Sequence, residues 1–449
     1  MSGYSQKAGM TLVARVISIV FGFVTSILLA RILGSEAFGI YSLAMLLPTI
    51  IVIFADFGIS PASVYHVAQG KFSRKEIFGN NILFTIVISF AAVLFGFIVS
   101  FFFSEQLFLG VPKSYLFLAL LFIPIKLFFT FIRNTLLGAQ LFLDYNLLNI
   151  VPSVLFFISI VAALWVLKSG PDGALMAGII AWLLTDIILF LRTKKAFGGA
   201  SLKRNYTYQK QAISYGLKAY LGNALQFLNY RLDMFLVNSF LNVSAVGYYS
   251  IAVLLAERLW LVSQVASTVI FPRIASETDE KKRLEFTPLV ARTVFWITAF
   301  GALALFLLSR ILIVVFYSDK FLASLPPLQA LLIGVIGLAV GRVLALDLSG
   351  RGRPILNTYV AVITLVSNIS LNLIWIPAYG IVGAAWASTV SYLVMFFCTF
   401  LFYYRITGNS WQKILLPQPG DWAIYKETLI SILNRFMKRS SQRGENQEK

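Results

Sequence analysis

The sequence predicts an all-α polytopic membrane protein: twelve transmembrane helices in two six-helix pseudo-repeated lobes around a central cavity, with a C-terminal interfacial amphipathic helix. Three observations predict it. Hydrophobic residues make up 59% of the 449 positions and charged residues 12%, whereas soluble globular chains hold roughly 45–50% and 25%. That composition excludes a soluble globule. The apolar residues fall into twelve stretches near the length of about 20 residues that spans about 30 Å of hydrocarbon. Finally, the chain resembles itself at an offset of 208 to 210 residues.

The twelve stretches are 9–33, 38–65, 79–103, 113–138, 145–167, 173–192, 213–241, 246–271, 289–317, 326–348, 355–376 and 381–404. Pro48, Pro61, Pro124, Pro152 and Pro272 lie inside or beside them. A proline breaks or kinks a helix, and a membrane tolerates it where a neighbour or a cavity satisfies the freed backbone groups. The connections on the side away from the N-terminus are short and leave no room for a domain there. The longest connections on the other side are 193–212, a basic run with glycines, and 272–288, which mixes acids and bases.

The repeat is read by sliding the chain over itself. A shift of 208 sets LLARILGSEAFGIYSLAMLL (28–47) over LVNSFLNVSAVGYYSIAVLL (236–255), with nine identities in twenty that include Gly39, Tyr41 and Ser42. A shift of 210 pairs Gly173, Ala174, Ala177, Leu183, Phe190 and Leu191 with Gly383, Ala384, Ala387, Leu393, Phe400 and Leu401. The first six spans thus recur as the last six. Six is even, so both copies insert with the same orientation, a plan that places a substrate path between the halves. The expected division is 1–192, an N-terminal lobe; 193–212, a basic cytoplasmic linker; 213–404, a C-terminal lobe; and 405–449, a cytoplasmic amphipathic helix and disordered tail. In the last segment Trp422, Tyr425, Leu429, Ile432, Leu433 and Phe436 recur at helical spacing.

A net charge of +18 invites a nucleic-acid reading, but the placement of the charges argues otherwise. Of 37 Lys and Arg, 25 fall in the tail and in the loops on the N-terminal side, against four opposite, Arg31, Lys113, Lys168 and Lys320. By the positive-inside rule that puts both termini in the cytoplasm. Phe197, Tyr206 and Tyr208, interleaved with bases, read as a solvated, lipid-facing linker rather than an RNA surface. Lys7 precedes an apolar segment without a cleavage site, so the first helix is the expected targeting signal. Cys398, the single cysteine, excludes a disulfide framework or a cysteine metal site, and the single histidine, His66, reads as interfacial. No Walker loop points to an ATPase.

The chemistry is expected around Gly222–Phe240, GNALQFLNYRLDMFLVNSF, an apolar helix that carries Arg231 and Asp233. A charge at a bilayer centre costs about 2.5–3.5 kcal/mol on insertion scales, so it is kept where it meets a partner or a wet cavity. At 100° per residue Asn223, Gln226, Tyr230 and Asp233 share one side, and Arg231 and Asn238 the other. One face is expected to touch solute and the other a neighbouring helix. Other spans add polar faces: Arg15, Ser18, Gly22 and Ser26; Thr49, Asp56, Ser60 and Ser63; Ser250, Glu257, Gln264 and Thr268. These lie on repeat mates and are expected to converge on one cavity. Arg15, Arg231 and Arg258 are the diphosphate candidates, because a guanidinium offers a planar donor fork. Asp56, Asn223, Gln226, Asn229, Asp233 and Glu257 are the polar or ion-coupling candidates, with H⁺ or Na⁺ as the ion. Packing pairs such as Arg231 with Glu257, or Asp56 with Arg15, are the plainer alternative.

LLARILGSEAFGIYSLAMLLPTIIVIFADFGISPA (28–62), NYRLDMFLV (229–237), SGRGRP (349–354) and YGIVGAAWA (379–387) carry a resemblance to the polysaccharide, or O-antigen type, flippases of the multidrug/oligosaccharidyl-lipid/polysaccharide exporter superfamily. It covers nearly all of 1–404. The resemblance implies a two-lobed, alternating-access transporter that moves polyprenyl-diphosphate-linked oligosaccharide across a prokaryotic plasma membrane. It also implies a cationic cavity lined by spans 1, 2, 7 and 8, with Arg15, Arg231 and Arg258 near the diphosphate. Substrate and membrane lipids are the implied partners, with the glycan assembly machinery beside them, and no cofactor is expected. A drug or cation antiporter of the same superfamily is the nearest alternative, and it would favour a carboxylate-rich cavity. A lipid II flippase resembles a fourteen-helix plan. A membrane polymerase or ligase needs acids, histidine or arginines in an outer loop, and the outer loops are too short, so no enzyme is expected.

Overall fold

The computed structural model describes residues 2–277, 279–421 and 426, and every regular element among them is helical. Eight helices are long and apolar enough to cross a membrane, nine when the bent pair Val243–Glu257 and Trp260–Ser267 counts as one span. Two of the eight are double. Ser2–Ala55 leaves helical geometry at Gly34 (φ 75°, ψ 177°) and Ile355–Thr407 at Gly380 (φ 60°, ψ −142°). Both glycines occupy left-handed backbone that a side chain would strain, and they turn the chain sharply.

Divided there, the helices follow the expected spans in order. They are α1 (2–33), α2 (35–55, resuming as Ile59–Gln69), α3 (Arg74–Phe102), α4 (Lys113–Leu120 with Phe122–Gly138), α5 (Phe142–Ile160, closing in a π turn), α6 (Pro171–Phe197), α7 (Tyr206–Phe240), α8 (Val243–Glu257 and Trp260–Ser276), α9 (Glu280–Leu312), α10 (Leu325–Gly350), α11 (355–379) and α12 (381–407). α7 fails the apolarity test that the others meet, since charges and amides interrupt it. It survives as a helix because it is enclosed, packing on α11 and α12 along one side and on α2 near its start.

Within the first half α1 packs on α5, α5 on α6 and α2 on α4, and within the second α10 packs on α11–α12 and α9 on α10, while the α1–α2 hairpin packs as extensively on α8 across the halves. The halves meet mainly where the α1–α2 hairpin touches α8. Phe90, Val87 and Ile86 on α3 and Phe300 and Leu307 on α9 are among the most exposed large apolar side chains, from 61% to 75%. In water such faces would aggregate, so they mark a chain built for lipid.

The linker is shorter than the composition suggests. Within 193–212 only 198–205 is non-helical: α6 runs on to Phe197 and stops at Gly198 in left-handed geometry, and α7 starts at Tyr206, capped by the Asn205 side chain accepting from the Tyr208 N–H at 3.0 Å. Hydropathy reads the thickness of the hydrocarbon rather than the length of a helix, and Arg192, Lys194 and Lys195 are good helix formers that extend into water. The expected amphipathic helix beyond Asp421 falls outside the described residues, apart from Lys426.

Candidate functional site

α8 carries its charges at a bend. Its two parts meet at 44°, and there the N–H groups of Arg258 and Leu259 donate to the carbonyls of Leu255 and Ala256, both at 3.2 Å, in tightened i−3 turns. No proline is involved. Glu257, just before the bend, meets Arg231 from the middle of α7: Nη1 donates to Oε1 at 2.8 Å and Nη2 to Oε2 at 3.0 Å, a two-pronged charge-assisted bond. Arg258 points across to the other half, with its guanidinium carbon 5.7 Å from the centroid of the Phe23 ring. It joins no ion pair among the described residues, and its buried Nε has no hydrogen-bond partner there. Arg15 of α1 donates to the side-chain oxygen of Gln264 on α8.

Arg15, Arg231, Glu257, Arg258 and Gln264 line one cavity of about 670 Å³ between the halves. α1 adds Thr25 and Ser26, α2 adds Tyr41, Ser42 and Thr49, and α8 adds Ser250 and Trp260. Among the described residues three arginines face one carboxylate, and that carboxylate is held by one of the three. Arg15 and Arg258 therefore keep donors for a ligand. A guanidinium fork presents the geometry that a phosphate oxygen pair accepts.

The halves touch on either side of the cavity. At the end away from Ser2, a Cβ on Gly39 would fall on the Val243 carbonyl and one on Gly247 on the Ser35 carbonyl. Ser35 Oγ donates to the Tyr248 hydroxyl at 3.2 Å, and Phe38 and Phe321 pack edge to face with centroids 6.4 Å apart. At the near end, Gly58 lies against the backbone of Gly216, and Tyr65 stacks on Tyr215 at 4.8 Å.

The structure separates the candidates. Arg15, Arg231, Arg258 and Glu257 lie on the cavity lining, whereas Asp56, Asn223, Gln226, Asn229 and Asp233 do not. Asp56 drops out because α2 breaks below Ala55, with Phe57 at φ 47° and Gly58 at φ 75°, so a helical wheel drawn from Thr49 to Ser63 loses phase. Its carboxylate instead accepts from the Ser60 N–H at 3.2 Å and the Ser60 hydroxyl at 2.5 Å, at the start of the second half of α2, where an anion suits the free N–H groups. It therefore does not pair with Arg15. Asp233, 1% exposed, accepts from the Tyr249 hydroxyl at 2.5 Å, the Ser388 hydroxyl at 3.0 Å and the Met234 N–H at 2.9 Å. Gln226 donates to the Met395 sulfur at 3.6 Å. Asn229 is fully buried, and Asn223 is exposed away from the lining. So the Asp233 side of α7 is the locked face, and the Arg231 side is the one toward the cavity.

Ser250, expected on the polar face of α8, does line the cavity, and Ser42, Tyr41 and Trp260 are lining residues that a reading of charges alone does not find. Ser42 is the repeat mate of Ser250, 208 positions away, and that identity was the available signal.

A family model described as polysaccharide biosynthesis protein matches residues 5–277. The chain belongs to the polysaccharide biosynthesis protein family. This family member is 26% identical over 382 residues, 81% of its length, to 76% of the probable low-salt glycan biosynthesis flippase Agl15 of Haloferax volcanii. Its fold is that of the lipid II flippase MurJ in an inward closed conformation, with a TM-score of 0.74 and 17% identity over 94% of this chain and 96% of that one. An inward-facing multidrug resistance MATE family transporter of the MOP superfamily gives a TM-score of 0.73 at 13% identity, over 89% and 98%. The polysaccharide biosynthesis protein is thus a membrane protein with the fold shared by those transporters.

Proposed function

We propose that this polysaccharide biosynthesis protein is a flippase that moves polyprenyl-diphosphate-linked oligosaccharide from the inner to the outer leaflet of a prokaryotic plasma membrane, with both termini cytoplasmic and twelve membrane crossings. One observation carries the reading: arginines from both halves converge on one inter-lobe cavity whose single lining carboxylate is already paired. The name of the Haloferax relative, a glycan biosynthesis flippase, supports it, and so does the bias of Lys and Arg toward the near-end loops. A diphosphate must shed water to cross a low-dielectric path, and fixed guanidinium donors replace that water. Because the ligand bridges Arg15 on one half and Arg258 on the other, it can favour one relative position of the halves, as alternating access requires. An exporter of cationic drugs would need the opposite lining charge.

The test is flipping of a fluorescent lipid-linked oligosaccharide by the full chain in proteoliposomes. Arg258→Ala and Arg15→Ala should each lower the rate by about tenfold or more, the worth of one lost charge-assisted contact, with membrane insertion unchanged. Normal flipping by both variants would remove the basis of the reading.

A further inference from the structure

A second cavity, about 920 Å³, opens at the near end of the molecule and has no part in the arginine site. It lies between the halves: His66 at the end of α2 borders it from one, and Pro354, in the turn before α11, from the other. The first turns of α7 form its floor. Tyr206, Lys210 and Ser214 face it along one row, and Thr207, Gln211 and Tyr215 along the next, both spaced by four residues so that each row follows one helix face. All six of these lining positions are polar or aromatic with a polar tip.

A polar stripe on a helix start is ordinary if it is merely solvated, and His66 argues for more. The residue is 3% exposed, yet neither ring nitrogen has a hydrogen-bond partner among the described residues. The rings of Tyr65, Phe72 and Tyr208 hold it edge to face at 5.2, 5.6 and 5.6 Å, so the imidazole is fixed in place by packing alone. A buried imidazole has one donor and one acceptor, and leaving both unused is costly. A ligand that can both donate and accept would complete it.

We propose that this pocket holds the sugar moiety of the lipid-linked substrate, making it a glycan-recognition vestibule separate from the diphosphate site. The inference rests on the flippase reading above. A sugar hydroxyl donates and accepts at once, matching His66, the Gln211 amide and the row of hydroxyls. The C–H face of a pyranose is apolar and lies on aromatic rings, which Tyr206 and Tyr215 expose by 68% and 41%. Lys210 adds a cation suited to an acidic sugar. The placement agrees with the chemistry, since the sugar must stay in water while the lipid tail stays in the bilayer. Occupancy would touch both halves and so report a bound glycan to the contact between Gly58 and Gly216 below the arginine cavity.

The experiment uses the full chain in nanodiscs and synthetic geranyl diphosphate probes, bare or carrying one glucose, galactose, N-acetylglucosamine or glucuronic acid, with affinity read by thermophoresis. The wild-type chain should bind its best sugar probe about tenfold or more tighter than bare geranyl diphosphate. Tyr206→Ala with Gln211→Ala should reduce that ratio to about twofold or less while leaving the affinity for the bare probe and the melting temperature unchanged. His66→Gln, which retains a donor and an acceptor, should lose less of the ratio than His66→Ala. A double variant that keeps the full ratio, or a wild-type chain that binds every probe equally, overturns the vestibule and leaves the flippase reading intact. A wild-type chain that binds no probe at all overturns both.

Discussion

The hairpin α1–α2 and its repeat mate α7–α8 keep the same contacts and carry different charges. Gly39 and Gly247, 208 residues apart, each press bare backbone against the opposite half, and Ser42 and Ser250 both line the cavity. At the same offset Thr49 answers to Glu257, Phe23 to Arg231 and Thr25 to Asp233. The second copy thus holds a charged network where the first holds hydroxyls and an aromatic ring. The difference separates two features within one duplicated plan: the shared residues make the contact between the halves, which needs both copies, whereas the unshared ones set the charge of the cavity lining, which one copy plus Arg15 supplies.

The largest expected effect comes from the shared part. Gly39→Val and Gly247→Val place atoms on the Val243 and Ser35 carbonyls, so neither should let the far end close. Flipping should drop by tenfold or more, about 1.4 kcal/mol or more on the conformational equilibrium, and cross-linking of Ser35→Cys to Val243→Cys should fall with it. Equal rates in the glycine variants would break the idea that the pair forms a moving contact.

A middle-sized effect should separate Asp233 from Thr25. Asp233→Ala removes the shared acceptor of the buried Tyr249 and Ser388 hydroxyls, which are left only each other at 3.4 Å, a cost of about 1–3 kcal/mol that should lower the melting temperature by several degrees. Thr25 donates to the Phe21 carbonyl of its own helix, at 2.7 Å, so Thr25→Val should leave that temperature nearly unchanged. A stable Asp233→Ala protein that does not flip would move Asp233 from the packing of the second half into its transport chemistry.

The smallest effect concerns the near end of the second half, where Arg292 of α9 donates from Nε and Nη2, one edge of its guanidinium, to the two carboxylate oxygens of Asp421. Arg292 holds the Asp421 carboxyl below its ordinary range. A lowered carboxyl pKa contributes stability above the ordinary value near 3.9 that is lost as pH falls through the lowered one. Thermal stability should therefore be flat in this respect from pH 7 to about pH 5 and decline only below about pH 4. Asp421→Asn should remove that part of the decline. The N-terminal counterpart, α3, has at its near end a capping box in which Ser73 holds the Glu76 carboxyl below its ordinary range, so an acid-side decline of the same sign should remain in Asp421→Asn and disappear only when Glu76→Gln is added.

Much of the fold was legible from residue order because hydropathy is a local quantity. A helix in a bilayer must satisfy its own backbone bonds, so each apolar stretch announces an element whatever its neighbours do. The site was legible in part. Arg231, Glu257 and Arg258 stood out as charges in apolar helices, and the pairing of the first two follows from the α7–α8 hairpin. Asp56 and Asp233 were equally conspicuous charges, yet the reason each is retained is a hydrogen-bond partner: Ser60 across a broken turn, and Ser388, 155 positions away.

By itself, then, the sequence determined that this chain is a duplicated helical membrane protein, where its helices lie in order, and that charge is stored in their middles. The tertiary structure alone decided which of those charges share a space. The break at 56–58 and the bend at Arg258 rotate the turns beyond them, so a face drawn on an ideal helix does not survive either point. Contacts such as Arg15 with Gln264 join segments 249 positions apart, and no local pattern encodes a meeting that depends on how two lobes close.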